Sequence, residues 1–420
     1  MARKLDESLV PQEWKYELLD KLTVRCSGHT PSKSYPEYWN GGVKWVSLTD
    51  SHRLDKGYIY ETDKEISEEG IKNSSAQSHP PETVILSRDA GIGKSAVLAE
   101  SMAVSQHFIA WICDNKKTLH SWFLYNWLQL NKPEFERQAV GSTIKTIGLP
   151  YFKKLKILAP PFSEQKKIAQ ILSTWDKAIT TTEQLLANSQ QQKKALMQQL
   201  LSGKKRLLDE NDMRFSGEWP TVRLGAIAEM NSGGTPKSSV EEYYGGNIPW
   251  VSIADMTRKG KWISSTQKCL TGAGLENSSA RLYPKNTVLY AMYASIGECS
   301  IANVPVSSSQ AILGIRPKEN LDYEFLYFFL SSFKEKIKLQ GQQGTQSNLN
   351  AGMVKALKIK LPPKTEQRAI ATVLSTADSE IKLLNQKAEA LKTEKTALMQ
   401  QLLTGKRRVK ATLINEEEKC

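Results

Sequence analysis

The sequence predicts an α+β protein built twice over: two irregular α+β domains, each followed by one long helix. Three observations predict it. The chain repeats itself at an offset of 202 residues, from Pro160 to Pro362. Each repeat opens with short β-like runs separated by turn residues. Each closes with a stretch free of Gly and Pro, Glu164 to Ser202 and Glu366 to Thr404. The expected domains are residues 1–160, a helix over 161–208, residues 209–361, and a second helix with a tail over 362–420.

The duplication is legible at several points. "PPFSEQKKIAQILSTWD" from Pro160 matches "PPKTEQRAIATVLSTAD" from Pro362, and "ALMQQLLSGKKR" from Ala195 matches "ALMQQLLTGKRR" from Ala397. Upstream, "SGHTPSKS" pairs with "SGGTPKSS", "VKWVSLTD" with "IPWVSIAD", and "EW" recurs at Trp14 and Trp219. Self-similarity of this kind marks a repeated structural unit. Within each unit, "ETVILSR" and "NTVLYAMY" read as strands bounded by turn residues. "LHSWFLYNWLQL" and "YEFLYFFLSSFKEKI" carry apolar residues at helical spacing.

The long helices follow Pro-Pro pairs. Ser163 and Thr365 are the expected N-caps, with Glu-Gln behind each. Gly203 and Gly405 are the expected C-terminal stops. A seam spaced alternately by four and three runs through Ile370, Leu374, Ala377, Ile381, Leu384, Ala388, Leu391, Lys395, Leu398 and Leu402, as a coiled coil requires. Its counterpart is Ile168, Leu172, Trp175, Ile179, Thr182, Leu186, Ser189, Lys193, Leu196 and Leu200. At 1.5 Å per residue each rod is about 58 Å long, which favours a coiled-coil pair over packing into a domain core.

Composition narrows the function classes. A length of 420 residues suits two or more domains, and a net charge of +13 with pI about 9.3 suits an anionic partner, nucleic acid above all. A basic surface kept for solubility is the bland alternative. Five scattered cysteines form no C-x-x-C pair, which argues against zinc and disulfides and fits a reducing compartment. The five histidines form no ligand pair, so no metal site is expected. The N-terminus lacks a signal-peptide pattern and no apolar run spans a membrane, so a cytoplasmic location is expected.

"RDAGIGKSAV" imitates a phosphate-binding loop at Gly93-Lys94-Ser95. Arg88 stands where the first glycine of that pattern belongs, and the residues after Ser95 read as strand rather than helix. In the second copy the stretch is "ASIGECSI", where Glu298 and Cys299 replace the lysine and serine. What both copies keep at the turn is Ile-Gly, Ile92-Gly93 and Ile296-Gly297, so a structural turn is expected, with Lys94 free to touch DNA.

Two variable domains, each followed by a helix ending in "ALMQQLL-[ST]-G-K", resemble the specificity subunit of type I restriction–modification enzymes. The resemblance covers nearly the whole chain. It implies two pseudo-two-fold-related α+β target-recognition domains joined by two long helices in an antiparallel coiled coil. It implies a split double-stranded DNA target, two methyltransferase subunits docked on the core, and nuclease–translocase subunits beyond them. S-adenosylmethionine, ATP and Mg would serve those partners, with no cofactor in this chain. It also brings the N-terminal "EW" segment close to the tail after Gly405, the split counterpart of the link from Gly203 to Trp219.

No residues for chemistry stand out. An adenine methyltransferase needs a polar residue before Pro-Pro-aromatic, and "APPF" and "LPPK" lack it. No catalytic residue is expected. DNA reading needs Lys and Arg for phosphates and polar loop residues for base edges. The candidates are Thr30, Ser32 and Lys33 with Thr235, Lys237 and Ser238; Ser47 and Thr49 with Ser252 and Asp255; Lys94; Gln106 with Gln310; and Thr143 with Thr345, Gln346 and Asn348. Trp45 and Trp250 read as core. The competing readings are a coiled-coil scaffold without DNA recognition and an ATP-dependent enzyme using Lys94.

Overall fold

Runs of Val, Ile, Leu and aromatic residues form the strands, because branched side chains pack well on a pleated surface. The structure, a computed structural model, describes residues 10–113, 117–141, 145–293, 295–341 and 349–409. The chain divides into two units, Met1–Glu183 with Gln386–Cys420, and Gln184–Asn385. Both divisions fall inside the long helices.

In the first unit a five-stranded sheet has the order Val24–Ser27, Phe108–Ile112, Val84–Ser87, Ser95–Leu98, Tyr58–Ile59. Its last pairing is parallel and the others antiparallel. Period-two alternation puts both faces to use. Val84, Leu86, Val97, Ile109 and Trp111 pack against Phe123, Leu124 and Leu128 of the helix Ser121–Leu130. Ile85, Ala96, Leu98, Phe108 and Ala110 face a second core with Val46, Leu54 and Ile59. A four-stranded sheet has the order Glu65–Ile66, Trp39–Val46, Met102–Val104, Ser78–His79.

The second unit repeats this plan. Its five strands run Ala228–Ser232, Ile312–Pro317, Val288–Ala291, Cys299–Ala302, Trp262–Ile263. Val288, Tyr290, Leu313 and Ile315 meet Phe325, Leu326 and Phe329 of the helix Tyr323–Gly341. Leu289, Ala291 and Ile312 face a second core with Val251, Met256 and Ile263. The small sheet has three strands, Lys268–Leu270, Tyr244–Val251 and Ser307–Ser308.

The long helices span Phe162–Leu200 and Lys364–Leu402, 39 residues each. They begin two residues earlier than expected, directly after Pro-Pro. Ser163 and Thr365 consequently lie inside the first turn and are not N-caps: the ladder opens on the prolines, whose carbonyls at Pro161 and Pro363 accept from the Gln165 and Gln367 N–H groups, each at 3.0 Å. The helices also end before the expected stop. Gly203 and Gly405 come just beyond, at φ +74° and +73°, a left-handed conformation that favours glycine.

All twenty seam positions are buried or half-buried. In the first unit Ile168 and Leu172 share a core with Leu398, Met399 and Leu402. In the second unit Leu196 and Leu200 share one with Ile370 and Leu374. Ion pairs and one hydrogen bond show the direction: Asp176 and Glu183 meet Lys395 and Lys392 in the first unit. Ser189 and Lys193 meet Glu380 and Asp378 in the second. Rising numbers on one helix meet falling numbers on the other, so the pairing is antiparallel. Buried Thr182 satisfies its hydroxyl on the Ala178 carbonyl, 2.8 Å away, which explains a polar residue in the seam.

The Glu-Gln at each helix start has a tertiary role. Glu164, 3% exposed, accepts from Arg408 Nε at 2.9 Å and from the Trp14 indole at 3.2 Å. Glu366, 0% exposed, accepts from Arg206 Nε at 2.6 Å and from the Trp219 indole at 3.1 Å. Arg408 also donates to the Gln12 carbonyl at 2.7 Å, and Gly405 lies against Pro11 and Trp14. In the first unit, residues 10–14 and 405–409 therefore meet, as expected. Gln165 and Gln367 each bridge three backbone groups beside the helix start.

Candidate nucleic-acid interface

Each unit presents a polar loop held from beneath. The loop after Val24–Ser27 passes so close to the strand Met102–Val104 that a Cβ on Gly28 would sit 1.9 Å from the Val104 carbonyl oxygen. His29 N–H donates to that carbonyl at 3.0 Å, and the buried Trp45 indole donates to the His29 carbonyl at 3.0 Å. Thr30 comes next and donates its hydroxyl to the Gln106 side-chain carbonyl. The second unit repeats the arrangement. A Cβ on Gly233 would sit 2.3 Å from the Ser308 carbonyl oxygen, the Trp250 indole donates to the Gly234 carbonyl at 3.0 Å, and Thr235 donates to Gln310. Trp45 and Trp250 are thus supports of the loop rather than stacking platforms.

The structure brings together Thr30 with Gln106 and Thr235 with Gln310. Ser32, Lys33, Lys237 and Ser238 lie exposed on the same two loops. Other candidates are spent on local structure. Ser47 donates its N–H to buried Asp50 at 2.9 Å, and its hydroxyl lies 2.7 Å from that of Thr49, which stays exposed. Ser252 caps the helix Ile253–Lys259 by accepting from Asp255 N–H at 3.2 Å. The counterpart of Asp255 is Asp50, not Thr49, and both aspartates are buried. Burial pushes the Asp255 carboxyl up. Hydrogen bonds from Ser252, Gln267 and Arg258 outweigh that and hold it below the usual carboxylate range. A carboxylate so engaged is a brace.

Lys94 is also engaged. Its Nζ donates to the Ser51 carbonyl and hydroxyl, both at 3.0 Å, so it is not free to touch DNA in this conformation. Gly93, at φ +79°, turns the chain from Val84–Ser87 into the strand Ser95–Leu98, and Gly297, at φ +83°, does the same in the second unit. A phosphate loop needs a helix N-terminus after the serine; here a buried strand takes that place. Glu298 pairs with Lys334, and burial pushes the Cys299 thiol up. Thr143, Thr345, Gln346 and Asn348 lie outside the described residues. Among the described residues no cluster of His, Cys, Asp and Glu could hold a metal, and no helix is long and apolar enough to cross a membrane.

The clasp of Arg206 or Arg408 on a buried glutamate escaped sequence reasoning. Its signal was present: Glu164/Glu366 and Arg206/Arg408 are charged residues kept at one offset in both copies.

Comparison with known proteins agrees with the doubled plan. The family model described as "Type I restriction modification DNA specificity domain" matches residues 11–188 and again 216–393. The chain is similar to the putative type I restriction enzyme MjaX specificity subunit of Methanocaldococcus jannaschii, 26% identical over 97% of both chains. It is 32% identical to the MjaIX specificity subunit of the same organism over 43% of this chain, a match spanning 42% of that relative. The crystal structure of a type I restriction–modification S subunit from M. genitalium superposes with a TM-score of 0.57 at 16% identity, over 95% of this chain and 98% of the other. That likeness supports the fold. The chain belongs to the family of type I restriction–modification DNA specificity domains, and it carries two of them.

Proposed function

We propose that this chain chooses the DNA sites on which a type I restriction–modification complex acts, each unit reading one half of a split target. The observation that carries this reading is the family match falling twice, once on each unit, where each unit closes its own sheets and cores. The net charge of +13 supplies the sequence-independent attraction to phosphate. The loops at Thr30–Lys33 and Thr235–Ser238 supply the polar groups for base edges.

The chain itself performs no chemistry in this reading. Two methyltransferase subunits dock on helix faces outside the seam and at "ALMQQLL". Leu185 and Leu383 support this, being large apolar side chains exposed off the seam. Nuclease–translocase subunits join that core, and S-adenosylmethionine, ATP and Mg act in the partners. The site of action is the cytoplasm, where the DNA is. Sequencing methylated adenines in cells with and without this chain tests the proposal. A split motif that disappears when the gene is removed is the expected result. Methylation unchanged by removal would reduce the chain to a scaffold.

A further inference from the structure

The exposed recognition loops of the two copies differ in sequence, yet one side-chain pair on them is the same in both. Two and three residues beyond the loop threonines, Ser32 and Lys33 align with Lys237 and Ser238. Thr30–Gln106 and Thr235–Gln310 are identical in residue type, in hydrogen bond and in support. In each, a buried proline comes after the threonine, an indole fixes the carbonyl just before it, and a glycine allows backbone to touch backbone. Gln106, Thr235 and Gln310 are exposed and Thr30 half-exposed, so this rigidity is not needed for a core.

A group identical in both units cannot tell one half-site from another. What both half-sites share is the phosphate backbone, and phosphate contacts position a protein without carrying sequence. The chemistry fits. The threonine hydroxyl takes one lone pair of the glutamine side-chain carbonyl and so orients the amide, whose two N–H donors then outnumber the one acceptor lone pair left. A glutamine reading adenine uses its carbonyl and its amide together; an amide held as a donor suits an anionic oxygen.

We propose that Gln106 and Gln310 each clamp a DNA phosphate, one in each half-site, with Thr30 and Thr235 as positioning residues. The copy-specific neighbours Ser32, Lys33, Lys237 and Ser238 are left to the bases. This rests on the DNA-reading function proposed above.

The test uses the full chain co-expressed with its methyltransferase subunit, and a duplex carrying the motif read from the wild-type methylome. Gln106→Ala weakens binding about tenfold, the scale of a hydrogen bond to a charged acceptor. It does so equally on that duplex and on one with a scrambled half-site, and the methylated motif does not change. The salt slope is unaltered, because a neutral amide displaces no counterion, whereas Gln106→Lys steepens it by about 0.9. Thr30→Val weakens binding about threefold, and Thr30→Ser restores it. Thermal midpoints stay at the wild-type value. A motif relaxed at one base by Gln106→Ala would make the residue a base reader and overturn the proposal. So would binding within twofold of wild type on both duplexes. Failure of the wild-type complex to prefer its motif over the scrambled duplex would instead sink the specificity reading, with the phosphate contact still measurable on any duplex.

Discussion

Glu366 shows how one side chain can hold an element in place. It is fully buried and accepts from both Arg206 and the Trp219 indole. A buried charge is tolerated only with its partner, and removing one partner leaves the other stranded. Glu366→Ala is expected to lower the stability of the second unit by about 3–5 kcal/mol, read from urea unfolding; a loss below about 1 kcal/mol would mean that water takes over the role of the carboxylate. Lys94 sits at the other extreme. Half-buried, its ammonium donates to the Ser51 carbonyl and hydroxyl. Lys94→Ala should cost about 1 kcal/mol, the worth of a hydrogen bond to a charged donor less its desolvation. Neither the wild-type chain nor the variant should bind ATP in a calorimetric titration, and binding abolished by the substitution would restore the nucleotide reading.

Among the elements, the long helices carry the clearest sequence record. Their seam spacing of four and three survives in the burial or half-burial of every seam position, including half-buried Lys193 and Lys395, whose charges are met by Asp378 and Asp176. Such in-seam ion pairs favour one register over its neighbours. Four residues inserted near Ser189 add about 6 Å and a little more than one turn, so the seam continues nearly in phase. Under the proposed function, the methylated motif should keep both halves and gain roughly one to two base pairs of gap, at 3.4 Å each. Two residues inserted there rotate the seam by about 200° and should abolish assembly. Methylome sequencing of both variants decides: an unchanged gap in the four-residue variant would separate the helices from the spacing.

For the molecule as a whole, each unit is complete in its sheets and cores. Replacing residues 14–159 with the matching domain of a relative should therefore change one half of the methylated motif and leave the other intact. A change in both halves would show that the two units do not read DNA independently.

By itself the sequence determined the doubling, the two long helices and their seam, the helices around Phe123 and Phe325, and the turn nature of Gly93. These are written in short-range patterns, because periodicity and turn chemistry depend on near neighbours along the chain. Only the tertiary structure decided that Val24–Ser27 lies beside Phe108–Ile112, that Glu164 and Glu366 serve arginines rather than helix caps, and that Thr30 and Thr235 hold glutamines far along the chain. Strand order and buried ion pairs join residues whose own neighbours carry no trace of the partner. A serine at a helix start or a lysine after a glycine looks the same in sequence whether it faces DNA or a nearby carbonyl. Packing makes that choice, because a polar group near the core must find its hydrogen bond within reach.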